Sequence, residues 1–191
     1  MAWRREDAVT RAMQDVARAD FLPAGQRRWA ATDGPLPLGQ GQTSSQPRTV
    51  VAMLRLLDVR AGQRVLDVGA GSGWTTALLA RLVGSSGAVV GVELLARLAR
   101  WGADNVAAYG LDWAEVHKAE SGVLGWPSGA PYDRVLVSAE ARELPHQLVD
   151  QLVAGGVMVV PVGGQMWRVE RQPDGTVDVS RHGAYRFVPL R

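Results

Sequence analysis

The stretch Val65-Leu66-Asp67-Val68-Gly69-Ala70-Gly71-Ser72-Gly73 decides the fold. A strand over 64–68 that runs into three glycines at alternate positions, and then into a helix over 73–83, places bare backbone at the carboxyl end of a sheet. A ligand can approach closely there. The spacing narrows which ligand. A dinucleotide fingerprint needs glycine at position 74, and this chain has Trp74. The phosphate-cradling loop ending in Gly-Lys-Ser/Thr is absent as well. About twenty residues on, the apolar run Ala88-Val89-Val90-Gly91-Val92 ends in Glu93. A carboxylate there can accept hydrogen bonds from both hydroxyls of an adenosine ribose. The glycine turn with Glu93 as a plain helix cap is the structural alternative.

Outward from this stretch the pattern alternates. After the helix over 73–83 come a strand over 88–92, a helix over 95–109 and a strand over 113–117. Then follow a strand over 133–138, a helix over 145–153, a strand over 156–162 and a hairpin around Pro173-Asp174-Gly175. Such alternation implies right-handed crossovers and a mainly parallel sheet. The expected fold is α/β, a doubly wound Rossmann-like sheet with a C-terminal antiparallel hairpin and an N-terminal helical extension. That extension reads as an amphipathic helix over 6–19, with Val9, Met13, Val16 and Ala17 near one face, and a helix over 47–57. Between them, 32–47 is rich in Gly, Pro, Ser and Gln and reads as extended or looped. Structureless segments of that length in compact domains are often functional.

The 191 residues are expected to form a single domain, with 1–60 as helical extension and loop and 61–191 as the ligand-binding core. Apolar residues make up 47% and charged ones 21%, the balance of a globular protein. The chain has no cysteine, which excludes disulfides and thiolate chemistry and fits a reducing compartment. No run is apolar enough to span a membrane, and the N-terminus lacks the apolar core of a secretory signal, so a cytoplasmic place is expected. A net charge of +2 with scattered arginines gives little support for nucleic-acid binding. His117, His146 and His182 lack ligand-like spacing, so no metal site is expected.

From about Ala19 to Leu190 the sequence resembles the protein-L-isoaspartate O-methyltransferase family. The resemblance is carried by Phe21-Leu22-Pro23, the loop Pro35 to Pro47 with its Gly41-Gln42-Thr43-Ser44-Ser45-Gln46-Pro47, and the glycine loop with Glu93. It continues through Gly125-Trp126-Pro127, Ala130 to Arg134, Gly155-Gly156, Val160 to Gly163 and Arg186 to Leu190. It implies transfer of the methyl group of S-adenosylmethionine to the free α-carboxylate of an isoaspartyl residue, S-adenosylhomocysteine being the product; the ester then collapses to a succinimide. A carboxylate is already ionised at neutral pH, so positioning and desolvation suffice and no catalytic triad is expected.

By the resemblance, Ser45 hydrogen-bonds the substrate carboxylate, with Thr43, Ser44 and Gln46 shaping the same loop. The cofactor falls to Asp67, Gly69, Gly71, Ser72, Gly73, Glu93, Ser121 and Gly122. Read without it, the loop serines and threonine simply satisfy backbone groups. Val188-Pro189-Leu190 reads as an edge strand. The chain also departs from the family pattern. Ser121 stands where an aspartate near the adenine is usual, with Glu120 as neighbour. Ser44 and Arg48 replace an aliphatic and an aromatic or histidine, and Glu140 brings a carboxylate toward the pocket. Arg48 fits either a fork for an acid or an exposed arginine at a helix start. The expected partner is a protein or peptide bearing a free carboxylate, and the expected state is a monomer. A relative acting on another carboxylate, or a cofactor-binding protein without turnover, are the alternatives.

Overall fold

The computed structural model of the protein describes residues 7–191. Strand β3 (Arg64–Val68) sits mid-sheet and is buried on both faces from Val65 onward. Val65 packs into one core with helices α1 (Ala8–Asp15), α2 (Pro47–Leu57) and α3 (Trp74–Val83), whereas Leu66 and Val68 pack into the opposite core. Strands β4 (Ala88–Glu93) and β6 (Tyr132–Val137) flank it in parallel and follow the same two-residue alternation: Val89 and Leu136 face one side, Val90, Val92, Val135 and Val137 the other. Two-sided burial explains why these strands read as nearly continuous apolar runs.

Helix α4 (Ala96–Ala107) returns the chain to β5 (Ala114–Lys118), and the sheet is completed by β7 (Leu152–Val162), β8 (Gln165–Arg171) and β9 (Val177–Ala184). The order is β5-β4-β3-β6-β7-β8-β9, parallel through β7, with β8 and β9 antiparallel. Strand order reverses between β3 and β6. The loops leaving those two strands diverge there and open a crevice at their carboxyl ends.

Four local expectations are corrected. The helix expected over 6–19 stops at Asp15, and a short 3₁₀ turn follows over Arg18–Phe21. At the break, the Trp74 indole donates to the Val16 carbonyl at 3.3 Å and the Tyr109 hydroxyl accepts from the Ala17 amide at 3.0 Å, so distant side chains capture the backbone there. Residue 6 lies outside the described residues. The looped segment over 32–47 contains a hairpin, β1 (Leu36–Gly39) with β2 (Gln42–Ser44). Its two central residues, Gln40 and Gly41, both have positive φ, the requirement of the tight primed turns. Leu36 and Leu38 seat it on Leu22 and on Leu98 of α4.

The helix expected over 145–153 is a single turn, α5 (His146–Val149). Its continuation is pulled into the sheet: the Tyr132 amide donates to the Gln151 carbonyl at 2.8 Å, and Leu152 pairs with Tyr132 before a register shift between Leu152 and Val157. The C-terminal hairpin around Gly175 forms as β8 and β9. Val188-Pro189-Leu190 is not a sheet edge; it makes a lone bridge from Pro189 to Glu140, and β5 and β9 are the edge strands.

Candidate active site

The crevice at the β3/β6 switch point is a cavity of about 810 Å³, within the range of small-molecule sites. Gly69 and Gly71 line it with φ of 81° and 56°, values that a side chain tolerates poorly, so the loop after β3 turns with its backbone bare toward the space. Gly73 has a different task. A Cβ there would meet the Gly102 carbonyl at 2.7 Å and Val106 at 2.9 Å, so its missing side chain lets the start of α3 lie against α4. Ser72 lines the cavity, and its carbonyl accepts from Asn105 at 3.0 Å.

Glu93 closes β4 with its carboxylate buried at the cavity wall. One oxygen accepts from the Gly71 amide at 3.0 Å and the other from the Leu95 amide at 2.9 Å. It therefore ties the glycine loop to β4 and holds the backbone just ahead of α4, and each oxygen keeps lone-pair capacity for a ligand hydroxyl. Asp67, on the neighbouring strand β3, does not reach the cavity. Its Oδ2 accepts from the Thr75 and Thr76 hydroxyls, both at 2.7 Å, while Oδ1 is buried with no hydrogen-bond partner among the described residues. Burial pushes its carboxyl up to about 6, against the two threonine bonds, and the charge of Glu93 pushes the same way.

The opposite wall is the hairpin. Thr43, Ser44 and Ser45 line the cavity where β2 leads into α2. Ser121 and Gly122 line it from the loop after β5, together with Glu120. Gln46, Arg48 and Glu140 do not line it. The Gln46 amide donates to the Asp33 carbonyl at 3.0 Å. Arg48 is 83% exposed and pairs with Asp33 at 3.0 Å, while its own amide donates to the same carboxylate. Arg48 is thus the exposed arginine of a helix start, not a fork in the pocket. Glu140 turns away as well: it accepts from the Gly164 amide at 2.9 Å and the Phe187 amide at 3.4 Å. Its backbone bonds Val188 and Leu190, so Glu140 pins the C-terminal segment that forms part of the cavity wall.

Two features escaped the sequence reading. Arg18, 6% exposed, gathers the hairpin and the loop before it with its guanidinium. Nothing local marks it, since its partners lie 12 to 27 residues away in the chain. Arg142 and Arg191 line the cavity too and add positive charge to its wall. Among the described residues, no group of three or more His, Asp or Glu is placed to hold a metal ion, and no helix is long and apolar enough to cross a membrane.

A parallel sheet reversing at β3/β6, a bare glycine loop and a buried carboxylate ending the next strand define a Rossmann-like methyltransferase dependent on S-adenosylmethionine. The glycines and Glu93 fit an adenosine ligand, and the cavity has room for an acceptor beside it. The family model for protein-L-isoaspartate(D-aspartate) O-methyltransferase (PCMT) matches residues 2–191, and the chain belongs to this family. It is 43% identical to the protein-L-isoaspartate O-methyltransferase of Methanopyrus kandleri, over 100% of this chain and 86% of that one. It is 41% identical to protein-L-isoaspartate O-methyltransferase 2 of Archaeoglobus fulgidus, over 96% and 84%. A solved protein-L-isoaspartate O-methyltransferase superposes with a TM-score of 0.88 at 26% identity, covering 97% of this chain; this chain spans 61% of that one. A Plasmodium falciparum chain solved in complex with S-adenosyl-L-homocysteine shares the fold, with a TM-score of 0.84 at 24% identity over 98% and 91% of the two chains.

Proposed function

We propose that the protein methylates the α-carboxylate of L-isoaspartyl residues in damaged proteins or peptides, with Ser45 holding that carboxylate. The observation that carries this is the meeting of the glycine loop, Glu93 and Ser45 around one cavity. S-adenosylmethionine, when bound, supplies a methyl on a cationic sulfur, which a carboxylate oxygen takes as the carbon–sulfur bond breaks. Glu93 accepts the ribose hydroxyls, and the Gly69 and Gly71 backbone lets the amino-acid part lie close. The Ser45 hydroxyl donates to one carboxylate oxygen and leaves the other facing the methyl. No residue has to remove a proton, because an α-carboxyl group titrates well below neutral pH. The two reacting charges cancel on transfer, so walls that exclude water favour the step. Leu38, Val188 and Leu190 are among the apolar residues of those walls.

Of the departures that suggested another acid, only Ser44 reaches the cavity, since Arg48 and Glu140 spend their polar atoms elsewhere; Ser121, the departure near the adenine, lines it from the cofactor side. Both parts of one chain close the site, which supports reading 1–60 and 61–191 as one unit acting as a monomer. The lack of cysteine supports a reducing, cytoplasmic setting. The test is transfer of labelled methyl to an isoaspartyl peptide and to its aspartyl twin. Labelling of the isoaspartyl peptide alone is expected. Equal labelling of both, or of neither, would overturn the substrate. Ser45→Ala is expected to lower turnover while leaving cofactor affinity unchanged.

A further inference from the structure

Arg18 is a buried cation that forms no ion pair among the described residues; each of its bonds ends on an uncharged oxygen. Nη1 donates to the carbonyls of Ala30 at 3.3 Å and Thr32 at 3.0 Å. Nη2 donates to those of Gly34 at 2.9 Å, Ser44 at 3.1 Å and Ser45 at 2.9 Å. Nε donates to the Ser44 hydroxyl oxygen at 3.2 Å, and the guanidinium carbon lies 5.3 Å from the centroid of the Trp74 ring. Burying a charge is costly unless its donors are satisfied, and these acceptors satisfy them. The Asp33 carboxylate acts on this charge at longer range, without a direct ion pair, and the guanidinium lies beside the cavity wall.

The last of these bonds sets the direction of a hydroxyl. A serine offers one O–H donor and two lone pairs. Arg18 occupies a lone pair of Ser44, and the Ser44 proton has no acceptor among the described residues. Ser44 is nearly buried, yet it lines the cavity next to Ser45. A hydroxyl that accepts from a cation is polarised and becomes a better donor. A carboxylate has acceptor sites for more than one donor. We infer that Ser44 is a second hydroxyl donor to the substrate carboxylate, and that Arg18 is the positioning residue that aims it. The inference rests on reading this cavity as a carboxylate site.

Calorimetry on the protein loaded with S-adenosylhomocysteine tests it, with an isoaspartyl peptide and its α-carboxamide twin as probes. Ser44→Ala is expected to weaken the acid peptide about tenfold, the size of one hydrogen bond to a charged group, and to leave the amide twin unchanged. A merely structural serine would weaken both peptides alike or neither, and either result overturns the inference. Arg18→Lys keeps the charge but loses the planar fork, and is expected to weaken the acid peptide less in the Ser44→Ala background than in the wild type. Should Arg18→Lys fail to fold, Ser44→Ala alone decides. Wild-type methyl transfer to the isoaspartyl peptide is read separately. Loss of acid discrimination in Ser44→Ala without wild-type turnover would sink the substrate but keep the Ser44 role; turnover with unchanged Ser44→Ala binding would do the reverse.

Discussion

Replacing Glu93 by Gln keeps the size of the side chain and exchanges one acceptor oxygen for an NH₂ group. In the native site both oxygens are engaged, with the Gly71 amide at 3.0 Å and the Leu95 amide at 2.9 Å. Whichever way the new amide turns, its NH₂ faces a backbone N–H, and on that side it has no lone pair left for a ribose hydroxyl. A hydrogen bond to a charged acceptor contributes about 1.5–3 kcal/mol, so loss of one ligand contact weakens binding roughly ten- to hundredfold. Because the contact is to the ribose, S-adenosylmethionine and S-adenosylhomocysteine should lose affinity by the same factor. Calorimetric titration of both ligands measures this, with circular dichroism confirming that the variant is folded. A Kd within twofold of the wild type for either ligand would refute the ribose assignment and leave Glu93 only as the tie between the loop and the start of α4.

Gly73→Ala drives a methyl into the Gly102 carbonyl and Val106 at a positive φ, and should cost about 2–4 kcal/mol of stability in urea denaturation. Asp67 titrates at about 6 in the folded protein against 3.8 ordinarily, so the native state binds the proton more tightly than the unfolded chain. Its burial therefore destabilises fully above pH 6, and this is relieved as the pH falls from 6 toward 4. The full difference is roughly 3 kcal/mol. Asp67→Asn should remove that slope, seen by comparing denaturation midpoints of the two proteins at pH 4.5 and pH 8 (roughly the two ends of the titration). An identical pH dependence in both would contradict the buried carboxylate. Glu140→Ala frees the Gly164 and Phe187 amides; it should speed hydrogen exchange in residues 187–190 and raise KM for peptide more than it changes the Kd of S-adenosylhomocysteine.

The parts of the fold legible in the sequence are those whose burial has a local period. Strand β3, its glycine loop and the strand ending in Glu93 show it, because two-sided burial and bare backbone both leave marks in neighbouring positions. Several failures share one physical cause: a distant group took over a backbone or side-chain atom. Trp74 and Tyr109 end α1, Tyr132 draws Leu152 into the sheet, and the Asp33 carboxylate claims Arg48. Glu140 lies close in sequence to residues that line the cavity, but closeness along the chain does not determine which way a side chain turns. Arg18 is the extreme case, since a charged residue near a helix end ordinarily reads as exposed, and its acceptors come from the loop before the hairpin and from the hairpin's end.

The most direct measurement is a structure of the protein with both S-adenosylhomocysteine and an isoaspartyl peptide bound. The ribose hydroxyls should lie on Glu93, and the peptide's α-carboxylate should lie against the Ser45 hydroxyl with one oxygen directed at the sulfur. A nucleoside bound away from the Gly69–Gly73 loop, or a carboxylate held on the far side of the cavity from the hairpin, would contradict the shared site.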